Sequence, residues 1–190
     1  MSDDIKTQLL DAAQRLVQTR GHNGYSYRDL AEEVGIRTAS IHYHFPTKTD
    51  LAVALVRRYR EMVADAMAKI AVEKNSLTDR LEGVAAVYCH CLKSDGRICV
   101  ASALAGEYAS LPPEVRQELG RLMADSQGWI ARFLTEGRMR GEIPATADPL
   151  ALARLWYAAL QGALVIARAT EAIGLAEVAA SLKQLTLNQK

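Results

Sequence analysis

Residues 27–45 read Y-R-D-L-A-E-E-V-G-I-R-T-A-S-I-H-Y-H-F, and this stretch restricts the fold more than any other part of the chain. Two short helices crossing at a tight turn need a small residue at the crossing, a glycine in the turn, and branched apolar residues that lock the second helix onto the first. Ala31, Gly35, Ile36 and Ile41 stand in that order, flanked by Leu30 and Val34. The segment is read as a helix-turn-helix. Ser26, with Asp29 three residues on, forms a capping box that starts the first helix at Tyr27, and Gly35 stops it. The second helix runs from about Thr38 to His44 and ends at Phe45-Pro46.

Helical spacing recurs along the rest of the chain. Ile5, Leu9, Ala12, Ala13, Leu16 and Val17 mark a first helix, broken by Gly21 and Gly24. From Lys48 to about Val72, the residues Leu51, Leu55, Tyr59, Met62, Val63, Ala66 and Ile70 form one stripe, on a helix long enough to link two domains. Further helices are expected from Ser76 to about Leu92, from Ile98 to Tyr108 after a Ser94-Asp95-Gly96 turn, and from Pro113 to about Arg140. Two more follow, one opening at Asp148-Pro149 and running toward Gly174, the other from about Leu175 to Leu185. No alternating strand pattern, internal repeat or low-complexity tract interrupts this. The expected fold is all-α: an N-terminal three-helix helix-turn-helix domain over residues 1–50, joined by a long helix to a C-terminal helical domain over 51–190.

With 190 residues, 49% of them hydrophobic, and with 12 Gly and 5 Pro, the chain has enough apolar material for a core and is not disordered or collagen-like. No run approaches the roughly 18 apolar residues of a membrane span, so no bilayer crossing is expected. The acidic start Met1-Ser-Asp-Asp lacks the basic and apolar segments of a signal peptide, which points to the cytoplasm. Cys89, Cys91 and Cys99 are an odd number, which argues for thiols rather than a disulfide framework.

Charge is uneven along the chain. Residues 37–60 hold Arg37, Lys48, Arg57, Arg58 and Arg60 against Asp50 alone, whereas residues 61–190 carry 14 basic and 15 acidic side chains. A local basic surface can bind phosphates even on a nearly neutral protein, because screening confines the interaction to roughly 8–10 Å. The short helix Thr38–His44 is suited to the major groove, with Arg37, Thr38, Ser40, His42 and Tyr43 offering donors and acceptors to base edges and phosphates. Arg57, Arg58 and Arg60 are read either as further DNA contacts or as an ordinary solvated face. His42 and His44 lie roughly 200° apart on a helix, which argues against joint metal ligation, and no metal or cofactor is expected.

The pattern Leu30-Ala-x-x-x-Gly35-Ile-x-x-x-x-Ile41-x-Tyr43-His44-Phe45-x-x-Lys48-x-x-Leu51 resembles the DNA-binding domain of the tetracycline-repressor (TetR) family over residues 5–60. The resemblance implies an all-helical homodimer with an N-terminal reader domain and a divergent C-terminal domain that binds an inducer and dimerises through its last two long helices. Lys48 resembles the family's phosphate-contacting lysine. With Tyr27, Tyr43 and His44 it is expected to position the duplex rather than read it. Arg37 stands where many members have a Ser or Thr helix cap, and His42 where many have Tyr.

The segment from Cys99 to Arg116 is similar to a C-terminal signature of a TetR subgroup that responds to electrophiles or oxidants, including the N-ethylmaleimide-responsive repressors, where a cysteine at the Cys99 position senses. A thiolate forms near a helix N-terminus or a cation, and Cys99 follows Arg97 at a helix start. The other reading is a small buried hydrophobe. Met62, Tyr88 and Leu104 are candidates to line an inducer cavity, together with Glu107, Tyr108, Trp129 and Phe133; each is alternatively plain core. Trp156, Leu160, Gly162, Ala163 and Ile166 form an apolar stripe with small residues, suited either to a two-fold dimer contact or to packing within one subunit.

The function expected from these residues is a ligand-responsive transcriptional repressor that binds a palindromic double-stranded DNA operator as a homodimer and is released by a small-molecule inducer or by thiol modification. A DNA-binding protein without an inducer is the alternative. A small helical enzyme is less well supported, because the G-x-S-x-G, H-E-x-x-H, Walker and dinucleotide-binding patterns are all missing.

Overall fold

In the computed structural model, residues 2–92, 96–170 and 174–187 are described, and every regular element among them is helical. The order is α1 (Ser2–Arg20), α2 (Tyr27–Val34), α3 (Thr38–His44), α4 (Lys48–Glu73), α5 (Leu77–Leu92) and α6 (Val100–Ala105). A 3-10 turn at Tyr108–Ser110 follows, then α7 (Pro113–Met139), α8 (Pro149–Thr170) and α9 (Leu175–Thr186). Where a cap or proline marks a boundary in the sequence, the helix begins or ends within a residue or two of it. The expected helix from Ile98 to Tyr108 is shorter. Ser110 turns back on Glu107, its amide and its hydroxyl each donating to the Glu107 carbonyl at 2.9 Å, and the chain tightens into the 3-10 turn. Ser94 and Asp95 of the expected turn lie outside the described residues; Gly96 has φ +71°.

The chain forms two compact units, Met1–Arg60 with Arg97–Leu122, and Glu61–Gly96 with Met123–Lys190. A division at residue 50 does not anticipate this, because residues 97–122 pack with the N-terminal helices. In the first unit, α1 lies against α2 and α6, and α2 against α3. Its core takes Leu9, Ala13, Leu16 and Val17 from α1, Leu30 from α2, Ile41 from α3, Leu51, Leu55 and Tyr59 from α4, and Val100, Leu104 and Leu119 from the later segment. In the second unit α5, α8 and α9 pack mutually around Leu81, Tyr88, Trp156, Leu160, Leu164, Ala179 and Leu182. Arg80 ends α4 there: its guanidinium donates to the carbonyls of Lys74 (2.8 Å) and Ala71 (3.2 Å), pairs with Glu136, and lies 5.3 Å from the Phe133 ring.

α8 meets the length and hydropathy of a membrane span, with a mean hydropathy of 1.5, contrary to the expectation that no segment does. One face of it, with Trp156, Leu160, Ala163 and Leu164, is buried within the second unit against α5 and α9, while Leu155, Val165 and Ile166 are exposed. The same burial decides the stripe read as a dimer contact. Trp156 and Leu160 are 0% exposed within one chain and the Trp156 indole N–H donates to Thr186 Oγ1 at 2.9 Å, so these residues and Ala163 are internal. Gly162 and Ile166 are partly open.

One buried acid ties α4 to α7 within the first unit. Glu118 is 2% exposed, and its two oxygens meet Arg57 at 2.9 Å, Arg60 at 3.1 Å and Arg121 at 2.8 Å. Burial pushes this carboxyl up, but the hydrogen bond from Arg57 and the charges of Arg57, Arg121 and Arg60 outweigh it and hold its pKa below the ordinary 4.5. The unfolded carboxyl therefore takes up a proton first, so the node's stabilisation is present above pH 4.5 and lost as pH falls through the lower folded value. Because Arg57 and Arg121 are half exposed, solvent screening keeps the effect modest. Glu118→Gln is expected to cost ~1–2 kcal/mol in urea denaturation at neutral pH. The gap to wild type should close as the solution is acidified below pH 4.5, and a gap independent of pH would contradict the node.

Candidate nucleic-acid interface

The helix-turn-helix is assembled from local hydrogen bonds that the sequence specifies. Ser26 caps α2: its backbone N–H donates to Asp29 Oδ2 at 2.7 Å, and its hydroxyl accepts from the Asp29 amide at 3.4 Å. Gly35 closes the helix at φ +74°, with the Gly35 and Ile36 amides both donating to Ala31 O at 3.0 Å. A Cβ there would meet nothing within 4 Å, so the left-handed backbone, not lack of space, requires glycine. Arg37 occupies the N-cap of α3 without any side-chain cap, as its departure from Ser or Thr implies.

α3 is anchored by Ile41, which is fully buried, and by Phe45 just beyond its end. Away from that anchor, Arg37, Thr38, Ala39, His42 and Tyr43 are exposed, Tyr43 at 79%, while Ser40 and His44 are half-buried. His42 is steered by two contacts: its Nδ1 lies 3.0 Å from Pro46 O, and its ring packs 4.9 Å from that of Tyr27. An acceptor at Nδ1 makes that nitrogen the donor and leaves Nε2 to face outward chemistry. The rings of Tyr43 and His44 meet edge-on at 5.1 Å.

Tyr27 and Lys48 have internal partners. The Tyr27 hydroxyl donates to the carbonyls of Phe45 (2.9 Å) and Thr47 (2.6 Å), bracing the corner between α3 and α4; burial and then the Asp50 charge push its pKa up to about 12. A phenol has one proton, and here it points inward. The Lys48 ammonium donates to Tyr25 O and sits 4.2 Å from the Tyr25 ring, which uses part of its donor capacity. Thr47 and Asp50 repeat the capping box at the start of α4, with the Thr47 amide donating to Asp50 Oδ2 at 2.9 Å.

The excess charge counted along residues 37–60 is largely compensated in three dimensions. Arg57 and Arg60 bind Glu118, and Arg58 pairs with Asp11 at 2.7 Å, so these three arginines are neither free DNA contacts nor a simply solvated face. Arg15 pairs with Glu33 at 2.7 Å and Arg20 lies 3.6 Å from Asp29. Arg37 and Arg28 are exposed and make no ion pair among the described residues. Arg28 was not among the residues picked from sequence. Its helical phase, two residues before buried Leu30 on α2, carries the signal.

The residues read as lining an inducer cavity fall in both units. Leu104, Glu107 and Tyr108 belong to the first unit and Met62, Tyr88, Trp129 and Phe133 to the second. Leu104, Tyr88 and Phe133 are core; Met62 and Tyr108 are about half exposed. Trp129 lines an open hollow of about 340 Å3 with Ala124, Asp125, Gly128 and Arg132. Glu107 instead bonds the α1–α2 connection. Cys99 is buried at the N-cap position of α6, makes no side-chain cap bond there, and has its Sγ 3.5 Å from the Tyr59 hydroxyl; Cys89 and Cys91 are half-buried.

The family model described as "Bacterial regulatory proteins, tetR family" matches residues 9–55, and "Tetracyclin repressor-like, C-terminal domain" matches 78–182. The chain is 24% identical over 123 residues to the nucleoid occlusion factor SlmA of Marinomonas, covering 63% of this chain and 62% of that protein, which is less than two thirds of its length. Among solved structures, a TetR-family transcriptional regulator from Agrobacterium tumefaciens superposes with a TM-score of 0.92 at 27% identity, over 99% of this chain and all of that one. Reduced NemR of E. coli superposes with a TM-score of 0.87 over 98% of both chains; at 19% identity this is a likeness of fold. The N-terminal match falls on the helix-turn-helix just described and the C-terminal match covers more than half of the chain: the chain belongs to the tetracycline-repressor (TetR) family of transcriptional regulators.

Proposed function

We propose that the protein is a homodimeric repressor that reads a palindromic duplex operator with α3 and leaves it when an effector is bound. The observation that carries this reading is the arrangement of α3: one buried branched residue, Ile41, fixes the helix, while Arg37, Thr38, His42 and Tyr43 remain exposed. Such a helix supplies hydrogen-bond donors and a stacking surface at major-groove depth. Arg28 and Arg37, which make no ion pair among the described residues, are proposed as phosphate contacts; Thr38, Ser40, His42 and Tyr43 meet bases or sugar. Tyr27 holds the corner on which α3 stands, and His44 and Lys48 help position the duplex, with Lys48 keeping ammonium protons for a phosphate.

Two copies are needed, because a single reader helix meets too few base pairs, whereas two about 34 Å apart reach successive major grooves. Exposed Leu155, Val165 and Ile166 of α8, beside open Gly162, and Leu185 of α9 support self-association through these helices. The effector arm has two forms. A small molecule in the second unit is supported by the hollow beside Trp129. Thiol modification assigns the response to Cys99, whose derivatisation has to break its contact with Tyr59 and open the start of α6. Either shifts the population toward a conformer with lower operator affinity, and a coupling of about 1–3 kcal/mol is enough.

A second reading is a DNA-binding protein that occupies its sites without an inducer, favoured by the burial of Tyr88, Leu104 and Phe133 as core. Retention of operator under every small molecule and oxidant screened would favour it.

Tyr43→Ala is expected to weaken operator binding by about 1–3 kcal/mol and to relax sequence preference, measured by fluorescence anisotropy. Arg28→Ala is expected to weaken binding to all duplexes alike and to lower the slope of log affinity against log salt by about one. Unchanged titrations for both variants would remove α2 and α3 from the interface. Cys99→Ser is expected to abolish release of DNA by N-ethylmaleimide while leaving reduced binding intact; release that persists rejects Cys99 as the sensor.

A further inference from the structure

The connection between α1 and α2 is short and is held by a residue more than eighty positions away. Gly21 ends α1 in the left-handed region at φ +79°, its amide donating to Val17 O at 2.9 Å, and His22 turns inward to 5% exposure. Asn23 then meets Glu107. Its backbone N–H and its side-chain amide both donate to Glu107 Oε2, at 2.9 and 2.6 Å, and the side-chain amide also donates to Ser110 Oγ at 2.8 Å. Ser110 closes the ring by donating to Glu107 O at 2.9 Å.

The fit around the carboxylate is tight. A Cβ built on Gly21 would lie 1.6 Å from Glu107 Oε1, so the second oxygen occupies space that only glycine leaves open. Beyond Asn23, Tyr25 is held by Lys48 through its carbonyl and Ser26 by the α2 capping box. Gly21, Asn23, Tyr25 and Ser26 thus each have a fixed partner. Of these partners, Glu107 and Ser110 are supplied from the segment after α6, and all of them lie in the first compact unit. Nothing in this arrangement requires Glu107 to touch DNA or a cavity ligand.

We propose that Glu107 is a positioning residue for DNA reading: by fixing Asn23 and Gly21 it sets where α2 begins, and therefore how α3 is presented. The inference rests on the reading of α3 as the DNA-reading helix. The segment Cys99–Arg116, singled out in the sequence for its cysteine, then contributes to the reader domain through its glutamate. Because Asn23 and Glu107 are solvent-accessible, the clamp acts locally and can open without unfolding the core.

The test compares wild type with Glu107→Ala, Glu107→Gln, Asn23→Ala and the Glu107→Ala/Asn23→Ala pair. The DNA probe is the tightest duplex that the wild type selects from a random-sequence pool, with an unselected duplex as control. Glu107→Ala is expected to raise amide exchange in residues 21–30 by about tenfold while α4 is unchanged, as loss of hydrogen bonds to a charged group implies. It should weaken binding to the selected duplex several-fold more than to the control, at an unchanged urea midpoint. Glu107→Gln, which keeps an acceptor for Asn23, should restore most of the affinity, and the double variant should lose no more than either single one.

Equal affinity of wild type and Glu107→Ala for the selected duplex overturns the inference, as does unchanged exchange in residues 21–30. A loss that is the same on both duplexes and tracks the urea midpoint makes the role merely structural and also overturns it. A wild type that selects no preferred duplex defeats the DNA-reading assignment itself, and the inference falls with it.

Discussion

A helix of seven residues cannot sustain itself in water, since isolated helices below about 12–15 residues are marginal even with favourable sequences. α3 exists because Ile41 and Phe45 are driven into the core of the first unit and because its two ends are held from outside. At the start, the left-handed turn at Gly35 delivers the chain from α2. At the end, the Tyr27 hydroxyl grips the carbonyls of Phe45 and Thr47. The exposed side chains of α3 therefore stand on a support made by other elements. That is the physical meaning of a reader domain: the surface residues are free to be polar because neighbouring elements carry the stability.

Electrostatics divides the same unit into charges that build and charges that remain available. Arg57, Arg58 and Arg60, which dominate the basic stretch in the linear sequence, are matched by acids from α1 and α7. Arg28 and Arg37, isolated in the sequence, are the exposed cations of α2 and of the turn before α3 that have no such match among the described residues. Counting charge along a chain measures composition, whereas binding depends on what is left after the fold has paired its own groups. The proposed interface is accordingly modest in charge, and its specificity leans on shape and hydrogen bonding.

Much of the reader domain was legible in the sequence because its determinants are local. The Ser26–Asp29 box, Gly35 and the Phe45-Pro46 stop each act within a few residues, and α2 and α3 begin and end where they say. The 3-10 turn that shortens the helix before Tyr108 is local, but the misreadings of Trp156, Leu160, Ala163 and Glu107 involve partners distant in sequence. Trp156, Leu160 and Ala163 have the period of a helix contact, and period alone does not distinguish a neighbour in the same chain from one in a second copy; burial against α5 and α9 does. Glu107 was read as a candidate to line an inducer cavity, and its bond to Asn23 was not legible because Asn23 lies 84 positions away. Arg28 was visible by phase but was overshadowed by its aromatic neighbour Tyr27.

The two tryptophans of the chain both fall in the second unit, in opposite surroundings. Trp156 is sealed and its indole N–H is bonded to Thr186, whereas Trp129 lies at the rim of the open hollow with Arg132 5.4 Å from its ring. Their emission is therefore separable: the sealed indole fluoresces to the blue and is shielded from iodide, the other to the red and within reach of quencher. The unit thus carries both an internal standard and a probe: anything that covered the Trp129 ring would change the colour and quenching of one indole while the other held steady.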